Sequence, residues 1–340
     1  MLQRLLPALC LCLAVSSTWA QTDTPPVASE PEVVEAGEQI LVVGQRPGPG
    51  LWKVSKDDHV LWVFGTYSPL PEKMEWRSQQ VEAILAKSQE YLRPPAASAN
   101  VGFFRGLSLL PGLIGLKKNP DGATLHDVLP ADVYARWQPL KAKYLGDSDS
   151  IERERPIFAA DTLFEAGLKQ AGLSKGYDVG RKIDSIVKQH KLKVTQTAVE
   201  LTMDDPSKLL KDFKKSQLAD VQCLSKTLAR LESDIDAMRV RANAWSKGDL
   251  EGIQKLDYAD QESECSNAIR NADFARSQPG FQHVKERMQA AWLAAAEKAL
   301  ANNASSFASL RLADILDPHG YLHLLKAKGF RVEDPDGEMY

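Results

Sequence analysis

The chain has 340 residues, with 42 Lys and Arg against 45 Asp and Glu, a formal net charge of -3, 44% hydrophobic residues and 26% charged ones. This is the composition of a folded globular protein, and it excludes a disordered chain, a collagen-like repeat and a disulfide-dense miniprotein. No run of five or six Lys or Arg is present, so the phosphate-neutralising patch of a nucleic-acid binder is missing and no nucleic-acid partner is expected.

The first twenty residues read as an export leader. Arg4 is followed by an apolar run over 5–15, then by small residues in which Thr18 and Ala20 precede the expected cut before Gln21. The run falls short of the roughly 20 residues that span a bilayer, so a cleaved leader and a periplasmic or secreted mature protein are expected. Cys10 and Cys12 lie inside the run, and neither follows the small residue that a lipoprotein cut requires. Residues 21–50 carry five prolines, five acids and one base, an acidic tether in which 38–44 reads as a short lead-in strand. Residues 51–340 then hold 40 basic and 40 acidic residues, so the folded part carries no strong field of either sign. No later stretch is long and apolar enough to span a membrane.

The folded part opens with an expected hairpin, 51–54 and 60–64, around the charged turn Lys56-Asp57-Asp58. Its second strand is almost wholly apolar, as in a strand covered on both faces, and runs into Gly65-Thr66-Tyr67-Ser68-Pro69-Leu70-Pro71. A helix over 76–89 follows. Residues 94–122 are rich in Pro, Gly and Ser around an apolar stretch at 101–116, read as a buried loop packed on the core, with a lid or insertion as the other reading.

From residue 131 the pattern is helical. Pro156 opens a helix with the apolar face Phe158, Leu163, Phe164 and Leu168 that ends near Gly172. A helix over 179–190 and a strand over 192–197 come next. Asp205-Pro206 opens the longest helical region, which runs to Trp245. In it Leu224, Leu228, Leu231, Ile235 and Met238 step by four, three, four and three, the spacing of a packed seam. The last third reads as a helix over 281–301, a strand over 306–312, a helix over 321–328 stopped by Gly329, and a final strand over 329–332. Strands alternating with helices at both ends of a large helical block indicate an α/β or α+β fold, with a central mixed sheet and flanking helices in one domain over 51–335.

Cys223 and Cys265 are the cysteines left after leader removal. In an exported protein a disulfide is the natural reading, two buried free thiols being the other. Gly-rich phosphate loops, HExxH, GxSxG elbows and kinase signatures are all missing. His319 and His323 have ligand spacing, but no adjacent Glu accompanies them and Gly320 makes His319 a capping residue, so no metal is assigned there.

The segments Leu51-Trp52-Lys53-Val54 and Phe64-Gly65-Thr66-Tyr67-Ser68-Pro69-Leu70-Pro71 resemble the TraB/GumN family, to which the Tiki metal-dependent proteases are related. The resemblance extends through Ala171-Gly172-Leu173, Trp245, Gly248-Asp249-Leu250, Glu286-Arg287, Gly320 and Gly329-Phe330-Arg331-Val332, covering about 51–333. It implies a hydrolase scaffold with two GxxH motifs, a mid-chain Glu and a Glu-Arg-Asn on a long helix. The polar positions depart from that pattern. Ser68 stands at the first histidine and Asp314 at the second, within Arg311-Leu312-Ala313-Asp314. Met288 replaces the amide, and the mid-chain acid is out of clean register, the alignment giving Ala198 with Glu200 two residues beyond. A neutral imidazole suits a borderline divalent ion, whereas a serine hydroxyl is a poor ligand and an aspartate prefers harder ions.

Three readings follow. The first is an exported family member with a degenerate site, a non-catalytic binding or accessory protein of the cell envelope with an envelope protein or peptide as partner and no cofactor. Its family-site positions are Ser68, Glu200, Arg287 and Asp314, and Gly65, Thr66, Arg287 and Arg311 would bind an anionic or peptide ligand. The second is a hydrolase with an altered ligand set, in which Asp314, Glu200 and Ser68 hold manganese, cobalt or zinc or activate water. The third is a structural protein that forms a homo-oligomer on the seam helix.

Overall fold

The hairpin that opens the folded part sets the frame. In the computed structural model, which describes residues 48–99, 103–254 and 261–339, Leu51–Lys56 (β1) and His59–Thr66 (β2) pair antiparallel with Lys56 opposite His59. Asp57 takes φ 54° in the turn between them, a left-handed conformation that a short polar side chain tolerates. The expected leader, the tether as far as residue 47 and the lead-in strand at 38–44 lie outside the described residues.

Glu90–Leu92 (β3), Lys193–Thr195 (β4), Ser305–Arg311 (β5) and Arg331–Glu333 (β6) complete a six-stranded mixed sheet ordered β6-β1-β2-β5-β3-β4. β1 is antiparallel to β6 and β2, whereas β2, β5, β3 and β4 pair in parallel. Parallel neighbours need a long crossover, and the connection from β4 to β5 carries helices from Pro206–Lys215 to Val284–Asn302. Consecutive residues Ser306 to Leu310 of β5 are all buried, as expected for a strand covered on both faces.

Two main cores follow from the helix faces. Trp52, Phe64, Trp245, Trp292, Phe307 and Leu322 pack around the sheet. Helix Val284–Asn302 contributes Trp292, Ala296, Ala299 and Leu300, one face at 3.6-residue spacing. Its Leu300 carbonyl lies 2.7 Å from His59 Nδ1. A carbonyl only accepts, so that ring nitrogen carries the hydrogen. The second core, with Trp137, Leu163, Leu224, Leu228, Leu231 and Met238, joins helices Ala131–Leu145, Pro156–Gln170 and Val221–Ser233. The stripe expected as a seam is thus filled by helices of the same chain. Cys223 and Cys265 are disulfide-bonded and tie Val221–Ser233 to Gln261–Arg270.

The region expected as one long helix is three: Pro206–Lys215, Val221–Ser233 and Ile235–Ser246. The first begins as expected, with the Asp205 carboxylate accepting from the Ser207 and Lys208 amides at 3.0 Å and Pro206 in the first turn. The break at Asp234 accompanies a buried ion pair. Arg241, with no exposed surface, donates through Nη2 and Nη1 to the two Asp234 oxygens at 2.7 and 3.1 Å. The stretch at 101–116, expected as a buried loop, is mostly the helix Phe103–Leu113. Gly329 closes Tyr321–Ala327 at φ 88°, where a side chain is strained.

The end of Pro206–Lys215 depends on Arg155, only 2% exposed. Its Nη2 donates to the Phe213 and Lys214 carbonyls at 2.8 and 2.9 Å, its Nη1 to Ser216 at 2.9 Å and its Nε to Lys118 at 3.2 Å. The guanidinium also lies 4.7 Å from the centre of the Phe213 ring. The last carbonyls of a helix have no intrahelical partner, and here a buried cation takes the place of water. Burial pushes the Arg155 pKa down, and the Asp220 carboxylate opposes that shift.

Two outcomes are expected. Arg155→Met removes the donor shared by the part-buried Lys214, Ser216 and Lys118 carbonyls, while the Phe213 carbonyl keeps its bonds from the Ser216 amide and hydroxyl, so it should lower the unfolding free energy by about 2–4 kcal/mol, read as a urea midpoint shift at unchanged slope. The Glu90 carboxylate, with 7% of its side chain exposed, accepts from Thr195 and Asn303 and pairs with Lys193 at 3.0 Å. Burial raises its pKa, but these partners outweigh burial and leave it below the ordinary 4.5. Its stabilisation is therefore full above pH 4.5 and fades as pH falls from there through the folded value. Glu90→Gln should flatten that part of the acid limb in denaturation measured against pH, and an unchanged limb would refute the assignment.

Candidate functional site

β2, β5, β3 and β4 point the same way, so their carboxyl ends share one edge of the sheet, where open α/β sheets place their sites. Gly65 and Thr66 end β2 opposite Leu310 and Arg311 of β5. Thr66 Oγ1 donates to the Leu310 carbonyl at 3.1 Å. The Gly65 carbonyl accepts from Trp245 Nε1 at 2.7 Å. A Cβ on Gly65 would stand 3.0 Å from Trp52 and 3.1 Å from Leu312, so this glycine permits close packing of the indole.

Arg311 caps the short helix Leu312–Leu316 and turns its guanidinium onto Asp314. Nε reaches one carboxylate oxygen at 2.8 Å and Nη2 the other at 2.7 Å, a two-point fork. The Arg311 side chain is 56% exposed and that of Asp314 20%. Beside them burial and the Asp314 charge push the Tyr321 phenol up to about 12, against the opposing pull of Arg311, so it stays protonated and neutral. After Thr66, the Tyr67 side chain bonds the buried Arg241 that holds Asp234. The next residue, Ser68, is exposed, precedes the cis bond to Pro69, and its hydroxyl makes no hydrogen bond among the described residues.

Glu200 and Arg287 meet differently. Glu200 ends a two-residue parallel pairing of Val199–Glu200 with Ala97–Ser98. Arg287 donates to its main-chain carbonyl at 2.8 Å and to that of Gly280 at 2.8 Å. Arg287 therefore staples two loops, and the exposed Glu200 carboxylate is not its partner. Of the sequence-expected residues, Gly65, Thr66, Arg311 and Asp314 gather at the ends of β2 and β5, while Glu200 and Arg287 form a pair of their own through the main chain.

The sheet edge also carries residues that sequence reading did not single out. Arg93 follows β3 and pairs with Asp184 at 2.6 Å, with its guanidinium 5.4 Å from the Tyr91 ring centre. Tyr91 donates to Ser309 on β5 at 3.2 Å, and burial raises its pKa. The hallmark of Tyr67, Arg241, Arg93 and Asp184 is their pairing across the chain, which no local pattern announces.

The resemblance implies a divalent metal, and the chemistry of the donors tests that implication. The resemblance aligns Ser68, whose hydroxyl makes no hydrogen bond among the described residues, with its first histidine, and Asp314, whose two oxygens are held by a guanidinium, with its second. Among the described residues no group of three or more His, Cys, Asp and Glu converges as a metal site would require. These residues do not fit the metal.

Gly65→Ala separates packing from ligand binding. Overpacking against Trp52 and Leu312 should cost about 1–3 kcal/mol in chemical denaturation, and a variant as stable as the parent would show that this space is not filled.

Comparison with curated proteins and with solved structures returned no match. A family model does match, over residues 50–334, the span that holds all six strands. The chain belongs to the TraB/PrgY/gumN family.

Proposed function

We propose that this chain is an exported family member that keeps the scaffold in one domain, 51–335, without metal-dependent hydrolysis, and that it acts as a binding or accessory protein of the cell envelope. The observation that carries the reading is the fork between Arg311 and Asp314 at the position of the second histidine. A carboxylate engaged on both oxygens by its own cation is a weakened ligand that must give up that pairing to hold a metal, and the serine at the first position adds no imidazole. The leader pattern of residues 1–20 supports export, and the acidic 21–50 stretch supports a tether to the folded part. Arg311, the more exposed member of the fork, is the group that meets an anionic or peptide ligand, with Thr66 beside it.

Elemental analysis and calorimetry with manganese, cobalt and zinc test this reading. The protein is recovered from the export compartment, with Gln21 expected as its first residue. Wild type and Asp314→Ala should both carry no stoichiometric metal. One tight metal in wild type that disappears in Asp314→Ala would sink the proposal and make a peptide-hydrolysis screen the test of the altered ligand set.

A further inference from the structure

Helix Phe103–Leu113 rests on Pro206–Lys215 by one side. A Cβ on Gly112 would meet Leu210 at 3.2 Å, and Leu116 just beyond packs with the small core around Phe213 and Phe274. The other side is open to solvent. Leu110 and Leu113, three apart on one face of the helix, and Ile114, in the turn directly after it, are 54%, 47% and 78% exposed. The remaining large exposed apolar residues among those described stand apart in sequence, each in a different element.

Charge selects the occupant of this face. No Asp or Glu stands between Glu90 and Asp121, a span that holds Arg93, Arg105, Lys117 and Lys118. The supporting helix adds Lys208, Lys211, Lys214 and Lys215 against the single acid Asp212. Lys208 is paired with that acid and Lys118 with Glu154, while Lys117 and Lys211 are exposed. A second copy of the same face would bring these cations against their own kind. An anionic bilayer offers hydrocarbon to the apolar residues and phosphate to the lysines. Eleven residues make a helix about 16 Å long, which suits lying in the headgroup region. No helix among the described residues is long and apolar enough to cross a membrane.

We propose that this face is a docking element for an anionic membrane surface, with Leu110, Leu113 and Ile114 seated among the acyl chains and Lys117 and Lys211 on the headgroups. It does not rest on the reading of the Arg311 site. The lysines supply attraction that salt screens, and the apolar residues supply the part that persists.

Flotation with vesicles of phosphatidylcholine, alone or mixed with phosphatidylglycerol, tests it on the protein as recovered from exporting cells. Wild type should float with the mixed vesicles and much less with phosphatidylcholine alone, and added salt should weaken the binding. Leu110→Asp with Ile114→Asp should cut partitioning at least about tenfold, from the loss of two buried apolar side chains. Lys117→Glu with Lys211→Glu should lower binding to the mixed vesicles alone, while Val240→Asp, a lone exposed apolar residue in Ile235–Ser246, should change nothing. Circular dichroism checks that each variant is folded. No flotation of wild type, or equal flotation of the double aspartate variant, overturns the proposal. So does a dimer in ultracentrifugation that Ile114→Asp dissolves, since the face would then belong to a second copy.

Discussion

The parallel pairing of β2 with β5 is the constraint on which the rest of the structure hangs. Residues 60–66 and 305–311 lie side by side although nearly the whole folded chain separates them, as in the Thr66 to Leu310 hydrogen bond across 244 positions. A pairing so distant repays its loop entropy only if the intervening chain is itself compact. The helical block has that compactness through its own core and the Cys223 to Cys265 bond. The same pairing puts Thr66 and Arg311 next to each other, and the candidate site is its direct result.

Two buried arginines hold the irregular parts of the helical block. Arg155 satisfies the end of Pro206–Lys215 and the loop at Lys118, and Arg241 straddles the break at Asp234 while bonding Tyr67. Apolar side chains would pack these places with less desolvation cost, yet they would leave the Lys214 and Ser216 carbonyls without the guanidinium, only that of Phe213 keeping bonds from Ser216. A guanidinium spreads several donors in one plane and so serves several acceptors at once, which a lysine at the same position would not do. Through Tyr67 the second of these arginines also braces the strand end next to Ser68, linking the packing of the helical block to the site.

Much of this was legible in local pattern. The hairpin, the starts at Pro156 and Asp205-Pro206, the stripe from Leu224 to Met238 and the stop at Gly329 each follow from periodicity or from one residue's conformational preference. The mixed sheet was legible as a class, but its order was not, because β3 and β4 are three residues each and their pairing is decided by tertiary packing. The break at Asp234 was hidden because the apolar stripe keeps its phase across it, and the cause is an ion pair with Arg241 seven positions away. Residues 101–116 were read as a packed loop from their apolarity and from the length of the stretch. Apolarity tells that a face needs a cover, and among the described residues Leu110, Leu113 and Ile114 are left exposed while Leu116 is packed. At the site, residue types were legible and their partners were not: Arg287 turned out to hold two main-chain carbonyls, and Arg311 its own neighbour.

The fork at Arg311 and Asp314 gives the end of β5 its own charge balance. A metal ion in such a site does two separable things: it neutralises the carboxylate that faces it, and it offers an open position where water is activated. A guanidinium three residues away performs the first and cannot perform the second, because it has no vacant coordination position and its protons are not given up near neutral pH. The Asp314 charge is thus balanced within the chain, and the β2 to β5 pairing and the packing of Trp245 on Gly65 are made by the chain's own groups, so the geometry of this strand end is set by the same long-range pairing that sets the sheet.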